Sequence, residues 1–144
     1  MRPVYRNLLI VIAIGLVIGL AALLYTFRKS AVTVGSKKAD VEIDAAGLLD
    51  AFEADEPKAN EIYLGKIVSV TGKVESVSED SIGISVYLKE DEDIAGIICS
   101  FDKSANDVAT IDKGNIVEIK GICTGYLMDV ILNRCALVSR QTGS

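Results

Sequence analysis

IVEIKGICTGYLMDVILNRCALV, residues Ile116 to Val138, decides the fold. Apolar and polar residues alternate in two runs, joined by a short segment holding Gly125. Period-2 alternation around a turn residue predicts a β-hairpin, with Gly125 in its turn. An earlier run, VSVTGKV (Val68 to Val74), echoes VEIKGIC (Val117 to Cys123). Both carry a glycine in mid-strand, Gly72 and Gly121. A strand that must bend sharply favours a residue without Cβ at the bend, so the pair predicts a small, strongly curved barrel.

Working outward, the charge of the chain is segregated. Residues 1–39 hold six Lys/Arg and no acid, whereas residues 40–144 hold nine Lys/Arg against twenty Asp/Glu, a formal balance of −11. A domain so acidic repels phosphate backbones and anionic headgroups. Histidine is absent from the sequence, which removes the usual general base and the commonest metal ligand. Three cysteines are too few for a four-cysteine zinc site, and they form no CxxC pair. No catalytic, cofactor or metal residues are therefore assigned.

Leu8 to Phe27 is apolar except for Gly15, Gly19 and Thr26. As a helix it would span about 30 Å, the thickness of a hydrocarbon core. Arg2 and Arg6 precede it, Arg28 and Lys29 follow, and Tyr5 and Tyr25 fall near its two ends, where amphipathic rings favour the interfaces. A cleaved signal peptide is the competing reading. The apolar run is long for one, and the small residues Ala21 and Ala22 lie inside it, so a retained single-pass anchor is preferred. Gly15 and Gly19 have the GxxxG spacing that lets two such helices pack as a homodimer. Basic-residue counting favours a cytoplasmic C-terminal domain, whereas a short basic tail before a first apolar helix reads as a signal anchor and an extracytoplasmic domain. The second is preferred. The boundaries expected are a tail at 1–7, a transmembrane helix at 8–27, a linker at 28–43, a folded domain at 44–140 and a tail at 141–144.

Within that domain Asp44 reads as an N-cap for a helix to about Ala54, and Asp55 as the cap of a second with Pro57 in its first turn. Leu48, Leu49, Phe52, Ala59, Ile62 and Tyr63 form an apolar stripe expected to cover one end of the barrel. Strands are expected at Lys66–Val77, at Ile82–Lys89 and at Ile94–Phe101. Glu90-Asp91-Glu92-Asp93 reads as a solvated hairpin tip without EF-hand spacing. Asp102 is expected to cap a helix carrying Ala105, Val108, Ala109 and Ile111 before the closing hairpin. Three meandering strands, a helix and a hairpin give the connectivity of the OB fold, a five-stranded Greek-key barrel.

YLGKIVSVTGKV (Tyr63 to Val74), CSFD (Cys99 to Asp102) and GICTGYLMDVILNRC (Gly121 to Cys135) are similar to the tRNA-anticodon-binding-like OB family. The likeness covers about Asp44 to Val138. It implies the OB fold, in small bacterial proteins that often carry a membrane or lipoprotein signal, and hence an exported domain. It implies little about activity, because the family name records a likeness of fold and not a tRNA contact.

The usual OB ligand face lies on the second and third strands, flanked by the loop after the first strand and the loop between the last two. By that rule the candidate surface is Lys73, Tyr87, Lys89 and Tyr126, with Ser85, Ile98 and Ser100 between them. The two tyrosines can be read as stacking platforms for single-stranded bases or as packing residues. Glu75, Glu79, Asp80 and Asp129 surround them with the wrong sign for phosphate. Cys99, Cys123 and Cys135 fall inward by parity if the strand is irregular near Asn133-Arg134. Buried thiols are the simple reading. In an OB barrel the third and fifth strands are neighbours, so Cys99 with Cys135 is the disulfide candidate in an exported domain. The reading preferred is a membrane-anchored, non-catalytic OB module for a protein, peptide or small ligand. A single-stranded nucleic-acid-binding domain is the alternative, and the acidic balance argues against it.

Overall fold

The computed structural model describes residues 3–30 and 34–142, and of the first segment the side chains only up to Tyr25. Arg2 and the side chains of Arg28 and Lys29, used above for topology, lie outside the described residues. The chain divides into two compact units, residues 1–32 and 33–144.

The first unit is the helix α1, Pro3–Ser30. It is longer at both ends than the apolar run. Its segment Pro3–Tyr25 has a mean hydropathy of 2.9 and no buried residue, so it is long and apolar enough to cross a membrane.

The second unit contains β1 (Val41–Asp44), α2 (Ala45–Ala54), α3 (Glu56–Tyr63), β2 (Ile67–Glu79), β3 (Gly83–Leu88), β4 (Ile97–Asp102), β5 (Ile116–Leu127) and β6 (Asp129–Gln141). The sheet order is β1-β2-β3-β4-β6-β5, and pairing of β2 with β5 closes the five strands β2 to β6 into a barrel. Inward residues alternate along three of the strands: Ile84, Val86 and Leu88 on β3; Ile97, Cys99 and Phe101 on β4; Val117, Ile119 and Cys123 on β5. Leu48, Leu49 and Phe52 of α2 and Ala59 and Tyr63 of α3 join that core, whereas Ile62, read as part of the same stripe, is exposed. Asp44 and Asp55 cap the two helices, with side-chain oxygens accepting from the amides of Gly47 and Lys58.

Mid-strand glycines owe their place to close packing. A Cβ on Gly72 would sit 2.8 Å from the Ala45 side chain at the start of α2, and one on Gly121 would sit 2.5 Å from Cys135 Sγ.

Three expectations are corrected. The segment assigned to a linker contains β1, which pairs in parallel with β2 from Val41↔Val68 to Asp44↔Thr71. The helix expected after the third strand is a single 3-10 turn, Val108–Thr110. Asp102 and Asp107 hold that connection by accepting from the amides of Ser104 and Val108, local bonds that compete with a helix. The closing hairpin turns at Met128, in left-handed backbone with φ 67°, and not at Gly125. Gly125 instead follows a bulge at Thr124, where Cys123 pairs with Leu132 and Gly125 with Ile131.

Candidate functional site

The outer face of β3, β4 and β6 is built by register. Ser85 stands opposite Ser100, and Tyr87 opposite Ile98. Ile98 in turn faces Ile131 on β6, and Ser76 and Ser78 on β2 face Tyr87 and Ser85. The result is a surface of hydroxyls and aliphatic chains, half-buried at Ser85, Tyr87, Ile98, Ser100 and Ile131 and exposed at Ser76 and Ser78. The turn Ser81–Ile82 bounds one end, with Asp80 Oδ1 accepting from the amides of Ile82 and Gly83. These two bonds hold the Asp80 carboxyl below its ordinary range.

Tyr87 lies on this face but its hydroxyl is committed. It donates to Asp129 Oδ1 at 2.8 Å, and the same oxygen accepts from the Gly96 amide at 2.9 Å. One carboxylate thus ties β3, the β3–β4 connection and the start of β6. Burial first, then the hydrogen bond to Asp129, push the phenol up to about 12. Tyr126 is turned to the core. Its ring stacks on Phe52 of α2, with centroids 5.5 Å apart and planes 25° apart. The two tyrosines of the candidate surface therefore do not make one platform, and each has a packing partner.

The lysines are brought together with acids. Lys73 Nζ meets both carboxylate oxygens of Asp91 at 2.9 Å, and Lys113 Nζ meets Glu75 at 2.9 Å. The hydrogen bond and charge of Lys73 lower the Asp91 carboxyl, and Asp91 raises the Lys73 ammonium in return. Lys89, half-buried, adds its charge to the field on Glu75 and Asp91. Lys120 is elsewhere: its ammonium donates to the carbonyls of Gly35 and Lys37, fastening the segment that leads into β1. Such exposed pairs contribute little to stability. Their effect is on the surface field, which is of mixed sign at one patch.

Thiols of Cys99 and Cys123 are buried and that of Cys135 is half-buried; all three are free. Among the described residues no group of three or more His, Cys, Asp or Glu is placed to hold a metal ion. Sequence reasoning had Asp129 only as an unfavourable charge. Its role as acceptor from both Tyr87 and Gly96 rests on contacts that no local pattern signals. The stacking partner Phe52 had been read, correctly, as core.

A closed barrel of five antiparallel and crossover strands in this order, with helices packed at one end, defines an OB-fold domain. The chain belongs to the tRNA_anti-like family, whose model matches residues 1–137. Among solved structures it is similar to a lipoprotein of Klebsiella pneumoniae subsp. pneumoniae that is provisionally named nucleic acid-binding. That likeness has a TM-score of 0.60 at 18% identity and covers 72% of this chain and 100% of the other. At such identity it shows the fold alone. No curated protein matches the chain.

Proposed function

We propose that this chain is a single-pass, membrane-anchored OB module, without catalytic activity, that holds a protein, peptide or small ligand on the outer face of β3, β4 and β6. The observation that carries this reading is the commitment of the residues a nucleic-acid site would need. Tyr126 stacks on Phe52, the Tyr87 hydroxyl is held by Asp129, and Lys73 is paired with Asp91. Single-strand binding by OB folds combines free stacking platforms with a basic groove. The surface left on offer is neutral and rich in hydroxyls, which suits a neutral or peptide-like ligand. The apolar helix Pro3–Tyr25 supports the anchor, and the likeness to a lipoprotein supports an extracytoplasmic domain. Gly15 and Gly19 leave a flat stripe on that helix for a second copy of the chain.

Single-stranded nucleic-acid binding is the second reading, favoured by the provisional name of the Klebsiella lipoprotein. Fluorescence anisotropy of the detergent-solubilised chain with labelled single-stranded DNA and RNA separates the two. The expected result is no saturation below about 10⁻⁴ M at physiological salt, the weak end of non-specific binding. Micromolar affinity that falls steeply with salt and is lost in Tyr87→Ala would put the second reading first.

A further inference from the structure

Two connections meet at one end of the barrel. Strands β4 and β6 run parallel with Ile97 opposite Val130, and Leu88, the last residue of β3, also stands opposite Ile97. The β3–β4 connection, residues 89–96, and the β5–β6 turn at Met128 therefore emerge at the same end. Two bonds clamp them together. The Gly96 amide donates to Asp129 Oδ1 at 2.9 Å, and the Val130 amide donates to the Gly96 carbonyl at 3.0 Å.

This end carries three of the four most exposed large apolar side chains of the second unit: Ile94 at 94%, Leu127 at 80% and Met128 at 74%. The fourth, Ile82, stands at the opposite end of β3. None of the three hangs on loose chain. Ile94 is followed by the buried Ala95 and Gly96. Leu127 and Met128 sit between Tyr126, stacked on Phe52, and Asp129, which accepts from both Tyr87 and Gly96. A surface fixed before binding loses little freedom on binding. Met128 holds left-handed backbone, φ 67°, which glycine or asparagine adopts more readily. The turn thus displays a flexible, polarizable side chain, suited to adaptable contacts, on a backbone that does not favour it.

The rim of this apolar end is acidic. Glu90, Asp91, Glu92 and Asp93 lie in the same connection as Ile94, and the first three are exposed. Lys73 pairs with Asp91, and among the described residues Glu90, Glu92 and Asp93 have no ion pair. Lys89, half-buried, is the one base within the connection. Anionic headgroups and nucleic-acid phosphates carry the same sign as this rim and are repelled by it. A second copy of the chain, meeting the first across a two-fold axis, would bring an identical acidic rim to the contact. Apolar side chains flanked by positive charge match both features.

We propose that this end of the barrel is a docking surface for a cationic, apolar peptide segment of a partner protein. Ile94, Leu127 and Met128 take its apolar side chains, and Glu90, Glu92 and Asp93 take its lysines or arginines. The inference rests on the reading above that the outer face of β3, β4 and β6 holds a peptide-like ligand. It gives that ligand a charge and carries it past Tyr87, Ile98 and Ile131 to the end of the face.

The test uses the full chain in zwitterionic nanodiscs and a short, capped, fluorescent peptide of alternating leucine and lysine, with empty discs as the blank. Anisotropy should show saturable binding that weakens with salt, and none for the matching leucine–glutamate or serine–lysine peptides. Met128→Asn should weaken binding about tenfold or more, the worth of burying one large apolar side chain. Its melting temperature should hold or rise, because asparagine accepts the left-handed turn, so lost contact is separated from lost fold. Ile94→Ser should weaken binding similarly, and Glu90→Gln with Glu92→Gln should abolish the preference for lysine over glutamate. Equal binding of both charge types, no saturation, or an affinity unchanged in Met128→Asn and Ile94→Ser would each overturn the proposal. So would self-association or nucleic-acid binding lost in Met128→Asn, or quenching of a dye on Ile94→Cys by spin-labelled lipid. Peptide binding lost in Ser100→Lys but intact in Met128→Asn would overturn the docking end and leave the outer-face reading standing.

Discussion

Gly121→Ala adds a single methyl group where the barrel has no room for it. The new Cβ would lie 2.5 Å from Cys135 Sγ and 3.0 Å from Leu132 Cβ, against 3.4–4 Å for ordinary contact. Leu132 is fixed in register between Cys99 and Cys123, so it can yield little. Cys135 is held by the pairing of Ala136 and Asn133 on either side of it, so relief must come from rotating its side chain off the Leu132 carbonyl. Overpacking of this kind costs roughly 1–3 kcal/mol.

A double-mutant cycle isolates the cause. Cys135→Ala alone loses a half-buried thiol and should cost about 1 kcal/mol. In the Gly121→Ala background it also removes the clash, so the two costs should fall short of additivity by about 1–2 kcal/mol. A residual cost remains from Leu132. Urea denaturation of residues 34–144 under reducing conditions measures each corner of the cycle. With an m-value of about 1–3 kcal/mol/M, the single glycine variant should move the midpoint by roughly 1 M. Ile122→Val, half-buried on the opposite face of the strand, is the control and should cost about 0.5 kcal/mol. Additive costs, or a Gly121→Ala midpoint equal to that of the parent, would refute the packing and the strand parity together.

The Tyr87–Asp129 contact predicts a pH dependence at the alkaline end. Below pH 10 the phenol is protonated folded and unfolded and its contribution is intact; between 10 and about 12 the unfolded chain loses the proton first, so stability falls as pH rises. Phenolate absorbance should show a component at about 12 that Tyr87→Phe removes and Asp129→Asn brings down; a titration that neither substitution alters would contradict the site. For the anchor, carbonate extraction of cell membranes should leave the chain in the pellet. A shortened soluble chain beginning after about Ala22 would instead mark Leu8–Phe27 as a cleaved signal.

What the sequence made legible and what it hid have separate physical causes. Clean alternation in Gly83–Leu88 marks β3 because each inward residue is large and apolar and each outward one small or polar, so only one register buries the apolar set. Caps at Asp44 and Asp55 were readable because their partners are three residues away. The turn at Met128 was not readable: methionine carries no preference for left-handed backbone, whereas Gly125 does and drew the assignment to itself. Strand β1 was hidden by length, since four residues ending in a helix cap give too few alternations to stand out from a linker. What the residues of the candidate surface touch was hidden for a different reason. Tyr87 and Tyr126 have the composition of stacking platforms, but what a ring can do depends on who already holds it. Asp129 is 42 positions from Tyr87, and Phe52 comes from a helix that precedes the barrel. Pairings of that range are set by barrel closure, not by local pattern. The same closure places Cys135, because the bulge at Arg134 turns it against β5 and the bare Cα of Gly121 leaves room there for its sulfur.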